Sequence, residues 1–208
     1  MARTIGPTCR LCRRSGEKLM LKGDRCFTPK CAMERRPRGP GKAQGQRRRL
    51  SDRGVQLREK QKARYTYDMY EAQFRRIYRL AEKQSGATGD NLLILLERRL
   101  DNVVYRLGFA DSRSQARQLV SHGHITVNGH VTNVPSALVK VGDIIAWKAS
   151  SLKSEYYKMM SERIESKILP AWLSLDKQAM AGQVVSLPAP GEVDAKFSGQ
   201  SIVEYYSR

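Results

Sequence analysis

An Asn128-Gly129 dipeptide stands between two short alternating segments, His124-Ile125-Thr126-Val127 and His130-Val131-Thr132. Asn-Gly tolerates the positive φ angles of a two-residue hairpin turn, so these residues commit the chain locally to an antiparallel hairpin. Two helical patterns run directly into it. Over Asn91–Leu107, Leu92, Leu96, Leu100, Val103 and Leu107 share one face, and Gly108 supplies a stop. Ser112-Arg113-Ser114-Gln115 has the form of a capping box and opens a second helix with Ala116, Leu119 and Val120 inward, ended by Gly123. Ile144-Ile145-Ala146-Trp147 follows the Gly142-Asp143 turn as a further strand. The expected unit is two helices packed on a small antiparallel sheet.

Helices dominate the rest. Ser51-Asp52 can cap a basic helix through Leu57–Arg64, and Tyr70, Phe74, Ile77, Tyr78 and Ala81 recur at helical spacing up to Ser85-Gly86. Aromatics at that spacing are expected in a core rather than stacked on bases. Leu152, Tyr156, Met160, Ile164 and Ile168 recur every four residues, which predicts a helix lasting until Pro170. Pro188 and Pro190 mark a loop before a short closing segment, Ile202–Arg208. The longest clean apolar run, Leu92–Leu96, is far too short for a membrane span, and no apolar export signal follows Met1, so an intracellular, cytoplasmic protein is expected.

Charge then narrows the partner. The chain carries 38 Lys+Arg against 20 Asp+Glu, a formal net charge of +18. Residues 1–64 alone hold 20 basic and 5 acidic side chains, whereas residues 65–90 balance at 4 and 4. A field of that size points to a polyanion. The basic third also contains Pro37, Gly39, Pro40 and Gly41 and the run Arg47-Arg48-Arg49, a composition that by itself suits an unstructured tail. Its cysteines argue for order instead.

Cys9 and Cys12 form a Cys-x2-Cys knuckle, and Cys26 and Cys31 form a wider pair thirteen residues on. Cysteines in a chain with no export signal are expected to stay reduced, which favours metal over disulfides. Two short chelate loops suit tetrahedral zinc, and a segment of about thirty residues is too small to build a sufficient core without such help. Four protein ligands leave no open position, so one structural Zn2+ is expected; an iron–sulfur cluster is the less favoured metal.

Catalysis finds little support. Only His122, His124 and His130 could serve as imidazole bases, no Gly-rich phosphate loop is present, and no pair of carboxylates stands out. Nucleic-acid binding finds more. Arg58, Lys60, Lys62 and Arg64 are expected to line one wall, with Arg47, Arg48 and Arg49 before them. Arg99 with Arg106 and Arg113 with Arg117 form stripes on the two module helices, and His122, His124 and Asn128 sit at the hairpin within reach of phosphate. Such stripes are often only solvated faces. RNA is favoured over DNA because neither a coiled-coil dimer segment nor a finger with paired His ligands is present.

Gly86-Ala87-Thr88-Gly89-Asp90-Asn91-Leu92-Leu93, then Glu97-Arg98-Arg99-Leu100-Asp101-Asn102-Val103-Val104-Tyr105-Arg106-Leu107-Gly108-Phe109-Ala110, Ser112–Ile125 and Val127-Asn128-Gly129 closely resemble ribosomal protein S-four of the bacterial small subunit. The resemblance continues upstream through Leu57–Ala63 and downstream through Pro170-Ala171-Trp172-Leu173 and Val203–Arg208, nearly the whole chain. It implies a non-enzymatic protein that binds a multi-helix junction in the five-prime domain of small-subunit ribosomal RNA, nucleates assembly of the subunit body and contributes to translational accuracy. It further implies ribosomal protein S-five as a neighbour, a position near the channel that admits messenger RNA, and no obligate homo-oligomer. Cys9, Cys12, Cys26 and Cys31 match the zinc-bearing version of the family. Arg38-Gly39-Pro40-Gly41, Asp68 and Ala137 depart from its usual pattern.

The fold class expected is therefore α+β: a mainly helical domain with an inserted RNA-binding module and a zinc-stabilised basic N-terminal arm. Residues 1–45 are assigned to the arm, 46–97 to the helical domain, 98–160 to the module and 161–184 to a connecting segment, with 185–208 returning to the helical domain. A free RNA chaperone or a modifying enzyme borrowing the same module is the main alternative, but no region is left over for a catalytic domain. A DNA-binding zinc protein comes third.

Overall fold

A computed structural model describes residues 6–41, 50–164, 167–193 and 195–207. The chain forms two compact units, one holding residues 94–193 and the other combining 2–93 with 194–208. An α+β architecture with an insertion between the two halves of a helical unit is thus present.

In the helical unit, α1 (Thr8–Ser15) stops at Gly16, whose φ of 76° lets its N–H reach the Cys12 carbonyl at 2.9 Å. A 3-10 turn (Gly23–Phe27) and α2 (Ala32–Arg35) follow. Ser51 caps α3 (Asp52–Thr66) by accepting from the Gly54 N–H at 3.3 Å, as its position before the helical pattern requires. Next come α4 (Glu71–Glu82) and α5 (Thr88–Glu97). The last helix, α9 (Gly199–Tyr206), returns from the far end of the sequence to lie against α3, where Gln56 Nε2 donates to Glu204 Oε2 at 2.9 Å. Tyr206 brings its ring to 4.4 Å from that of Tyr78 and 6.5 Å from that of Phe74, so these two aromatics of the stripe are core, as expected, whereas Tyr70 at the N-cap of α4 is 40% exposed. Gly89 and Gly199 let two backbones touch; a Cβ on Gly89 would stand 3.1 Å from the Gly199 carbonyl carbon.

In the inserted unit, α6 (Leu100–Arg106) and α7 (Arg113–Ser121) pack on a five-stranded antiparallel sheet. Its strands are β1 (Ile125–Val127), β2 (His130–Val131), β3 (Ile144–Trp147), β4 (Leu173–Asp176) and β5 (Ala181–Val184), ordered β2-β1-β3-β5-β4. Thr126 pairs with Val131 across the Asn128-Gly129 turn, and both turn residues have positive φ (51° and 81°), as the hairpin reading requires. Leu100, Val103, Leu107, Val120, Ile125, Ile145 and Trp172 lie buried in one core. Helix α8 (Glu155–Arg163) starts at its Ser154 cap, where the side chain accepts from the Tyr157 N–H at 3.2 Å.

Three expectations need correction. The pattern over Asn91–Leu107 is two helices, because Arg99 adopts an extended ψ of 135° between α5 and α6. The loop after the hairpin holds the break open: Leu100 N–H donates to the Ala137 carbonyl at 2.8 Å and Asp101 N–H to Pro135 at 3.1 Å. Apolar periodicity survives such a break because each piece buries its own apolar face, Leu92 and Leu96 on α5 and Leu100 and Val103 on α6. Residues 161–184 are more than a connection, since β4 and β5 lie there and extend the sheet from β3. Finally, the helix through Leu152–Ile168 is shorter than its repeat suggested, and Ile168 lies almost wholly in solvent at 97% exposure.

Candidate nucleic-acid interface

Cations at helical spacing can face water or carboxylates, and along α3 they do both. Arg58 is exposed. Lys60 and Lys62 are buried, however: Lys60 donates to Glu71 Oε1, and Lys62 to Glu17 and Glu59, each at 2.7 Å. Burial alone would lower the Lys62 pKa, but the two carboxylates outweigh it and hold the ammonium above its ordinary value. Arg64 is half-buried, with Nε donating to Gln61 at 2.8 Å and its guanidinium 4.8 Å from the Tyr65 ring centre. The wall read from Arg58 to Arg64 therefore keeps only Arg58 fully open, and Lys60 and Lys62 tie the unit together instead. Arg47, Arg48 and Arg49 lie outside the described residues.

The stronger cationic face among the described residues belongs to α4 and lies outside the residues expected from the sequence. Arg75, Arg76, Arg79 and Lys83 are all exposed and line an open cavity of about 690 Å³ with Ala72, Leu80 and Glu71. A signal existed: Arg75, Arg79 and Lys83 recur every four residues and so share a face. The balanced charge of residues 65–90 concealed it, since net charge ignores direction. On the arm, Phe27 is 75% exposed between exposed Arg25 and Lys30.

On α6 and α7 the arginine stripes turn inward. Arg99 is 1% exposed and donates to Asp101 from Nε at 3.1 Å and from Nη2 at 2.7 Å. Arg117 Nε approaches the same carboxylate at 3.4 Å from the next helix. Glu97, wholly buried, accepts from Arg106 at 2.9 and 3.0 Å and from Asn102 Nδ2 at 2.9 Å. Arg113 Nε donates to Asn102 Oδ1 at 2.7 Å while its guanidinium covers the Tyr105 ring at 4.6 Å. Arg99 and Arg117, expected as RNA contacts, are buried on the Asp101 carboxylate, and Arg106 and Arg113 engage a second cluster at Glu97 and Asn102. Helical spacing fixes which residues share a face but not whether that face meets water, and Glu97 and Asp101 lie on the same side.

Asn128 is likewise structural: its Nδ2 donates to Asp143 at 2.8 Å, and its Oδ1 accepts from the Ile144 N–H at 2.9 Å. Both ends of the amide close the hairpin turn onto β3. His122 and His124 remain at the surface of the unit, ring centres 6.2 Å apart and nearly parallel, with His124 Nδ1 2.9 Å from Ser151 Oγ.

Cys9, Cys12, Cys26 and Cys31 are free thiols that line one cavity of about 20 Å³, room for little more than one water-sized sphere. Burial, aided by the other three sulfurs, raises the Cys12 pKa against a backbone hydrogen bond at Leu19. The Lys22 N–H donates to Cys26 Sγ at 3.4 Å. The thiols converge as their spacing predicts, yet no three His, Cys, Asp or Glu side chains among the described residues stand in an arrangement that could hold a metal ion. No described helix is long and apolar enough to cross a membrane.

Known families agree with these two units. Residues 3–97 match the family described as ribosomal protein S4/S9 N-terminal domain, and residues 98–145 match the S4 domain. The chain is 57% identical over 208 residues to the small ribosomal subunit protein uS4 of Dehalococcoides mccartyi (strain CBDB1), covering all of both chains. It is 54% identical to the protein of that name from Syntrophomonas wolfei and 52% identical to that from Caldicellulosiruptor bescii (strain ATCC BAA-1888), again over the full length of each. With family models covering residues 3–145 and relatives matched from end to end, the chain belongs to the uS4 family of small ribosomal subunit proteins.

Proposed function

We propose that this protein is a non-enzymatic component of the small ribosomal subunit that binds small-subunit ribosomal RNA directly. The observation that carries the reading is the α4 face, where Arg75, Arg76, Arg79 and Lys83 present unburied cations along a rigid helix. Phosphates of a folded RNA are neutralised by such fixed cations, with release of counterions driving association. The buried carboxylate–arginine network plays the complementary part: it fixes α6 against α7, so that the module meets RNA with a preset shape. Holding several rigid elements against crowded phosphates favours one junction geometry over those that bare RNA also populates. A multi-helix junction of the five-prime domain is the binding site this reading assigns. Assembly of the subunit body and decoding accuracy are the processes it serves, with protein S-five and incoming messenger RNA as neighbours.

One structural zinc ion completes the proposal. Four thiols lining one small cavity, with a backbone N–H directed at one sulfur, are by chemistry the soft donor set Zn2+ prefers, and the ion would have to draw them closer than they stand in this geometry. Cys9 and Cys12 from α1, Cys26 from the 3-10 turn and Cys31 before α2 would hold it. The ion would supply cross-linking only. The chain's own part is to keep Arg25, Phe27 and Lys30 displayed on a folded arm.

The test is a titration of the purified full-length protein with a small-subunit ribosomal RNA transcript and with duplex DNA of equal length, at several salt concentrations. Tighter binding to the RNA, with affinity falling by a log–log slope of about −0.7 to −0.9 per neutralised phosphate, is expected. Arg75→Ala with Arg79→Ala shifts that slope toward zero by about two. Equal affinity for the DNA, or a flat salt response, overturns the reading.

A further inference from the structure

We propose that the cavity between α7 and α8 receives one unpaired nucleobase of the bound RNA. Gln115, Gln118, Leu119, His122, His124 and Tyr156 line it, and its volume is about 210 Å³. That is several times the ~30 Å³ share of one water in the liquid and below the ~300–1,000 Å³ of pockets for drug-sized ligands. The depression is open to solvent, and a single ring system suits the space.

The lining chemistry selects among small occupants. Among the described residues no Lys or Arg lines this cavity, so it is not built as a phosphate site. Two imidazoles alone do not make a metal site, and the cavity lining adds no Cys, Asp or Glu to them. What the cavity offers is ring faces and amides. Tyr156 donates its hydroxyl to the Phe109 carbonyl at 3.1 Å, which fixes the phenol ring in the wall. The His124 ring is held by Ser151 Oγ at 2.9 Å and lies 29° from parallel to that of His122. The Gln115 carboxamide oxygen accepts from the Asp111 N–H at 3.1 Å, which orients its amide so that an NH2 donor remains on the other side. Gln118 and His122 are exposed at the rim, and Leu119 supplies an apolar contact. Planar aromatic surface for stacking, with amide donors and acceptors for a base edge, is the kit by which proteins hold splayed-out bases of single-stranded RNA.

This inference rests on the RNA-binding reading and adds a base to its phosphate contacts, which makes the two separable. The experiment titrates the full chain and its Gln118→Ala, His122→Ala and His122→Phe variants with the small-subunit ribosomal RNA transcript across salt. Gln118→Ala and His122→Ala are expected to weaken binding by about 5- to 100-fold with an unchanged salt slope, and His122→Phe, which keeps a ring, to recover most of the loss. Wild-type affinity in both alanine variants, or a slope reduced by about one per variant, overturns the base pocket and leaves RNA binding in place. Failure of the unaltered chain to bind the RNA overturns both. A second measurement needs no variant: the chain has three histidines, and ring NMR signals of His122 and His124 are expected to move on adding the RNA. Unmoved His122 and His124 signals in the RNA complex count against the pocket however the variants fold.

Discussion

Arg106 grips the Glu97 carboxylate with two hydrogen bonds of 2.9 and 3.0 Å, joining the last turn of α6 to the residue that ends α5. Glu97 has no exposed surface and also holds Asn102, which in turn accepts from Arg113 of α7. A carboxylate in that place neutralises arginines that would otherwise repel one another in a low dielectric. Glu97→Gln keeps the shape and removes the charge, and is expected to destabilise the protein by about 3 kcal/mol. Urea unfolding followed by circular dichroism measures it. A loss below about 0.5 kcal/mol would show the network to be dispensable.

The thiol cavity makes a prediction about metal. Native full-length protein is expected to contain one zinc per chain by elemental analysis. Chelation, or Cys26→Ser, should open residues 6–41 to proteases that cut after Arg and Lys, with α3 and α4 still protected. Metal-free native protein ends the zinc proposal, and visible absorbance with iron and sulfide would replace zinc by a cluster.

Acid sensitivity is expected at Glu71. Partial burial would raise its pKa, but hydrogen bonds from Lys60 and Tyr206 and the charge of Arg64 outweigh it and hold the carboxyl below its ordinary 4.5. A depressed folded-state pKa means that the stabilisation is complete above the unfolded value and disappears as pH falls through the lower, folded one. Wild-type protein should therefore lose stability as pH drops below about 4.5, and Glu71→Gln should lose less over that window. Parallel pH profiles for the two proteins would remove Glu71 from the account.

Local chemistry was the most readable part of the sequence. Ser51 and Ser112 cap the helices they precede, Asn128-Gly129 turns the hairpin, and Phe74 and Tyr78 enter the core. In each case the determinant lies within a few residues of its effect. The strands β4 and β5 were not legible, because Ala181-Gly182-Gln183 carries little strand propensity. Gly182 is there for a tertiary reason: a methyl group at that position would run into the side chain of Leu107, which caps α6. The family and its charge-driven chemistry could be read directly, but the individual contacts could not. In sequence Arg99, Arg117, Lys60 and Lys62 have the pattern of a surface because only folding identifies their carboxylate partners, and the net charge of residues 65–90 hides Arg75, Arg79 and Lys83 because neighbouring carboxylates cancel them.

The return of α9 to α3 has a consequence for how the molecule is made. Ser198 and Glu204 emerge from a ribosome more than a hundred residues after the Glu59 and Gln56 they bind. At about 5–20 residues per second that delay is on the order of ten seconds. Residues 94–193, whose core draws on no residue after Val184, are complete shortly before Ser198 emerges, whereas the basic N-terminal portion must wait for α9. Nascent chains of this protein therefore display their most cationic third before it is locked in shape, and the order of synthesis runs opposite to the order in which the two units close.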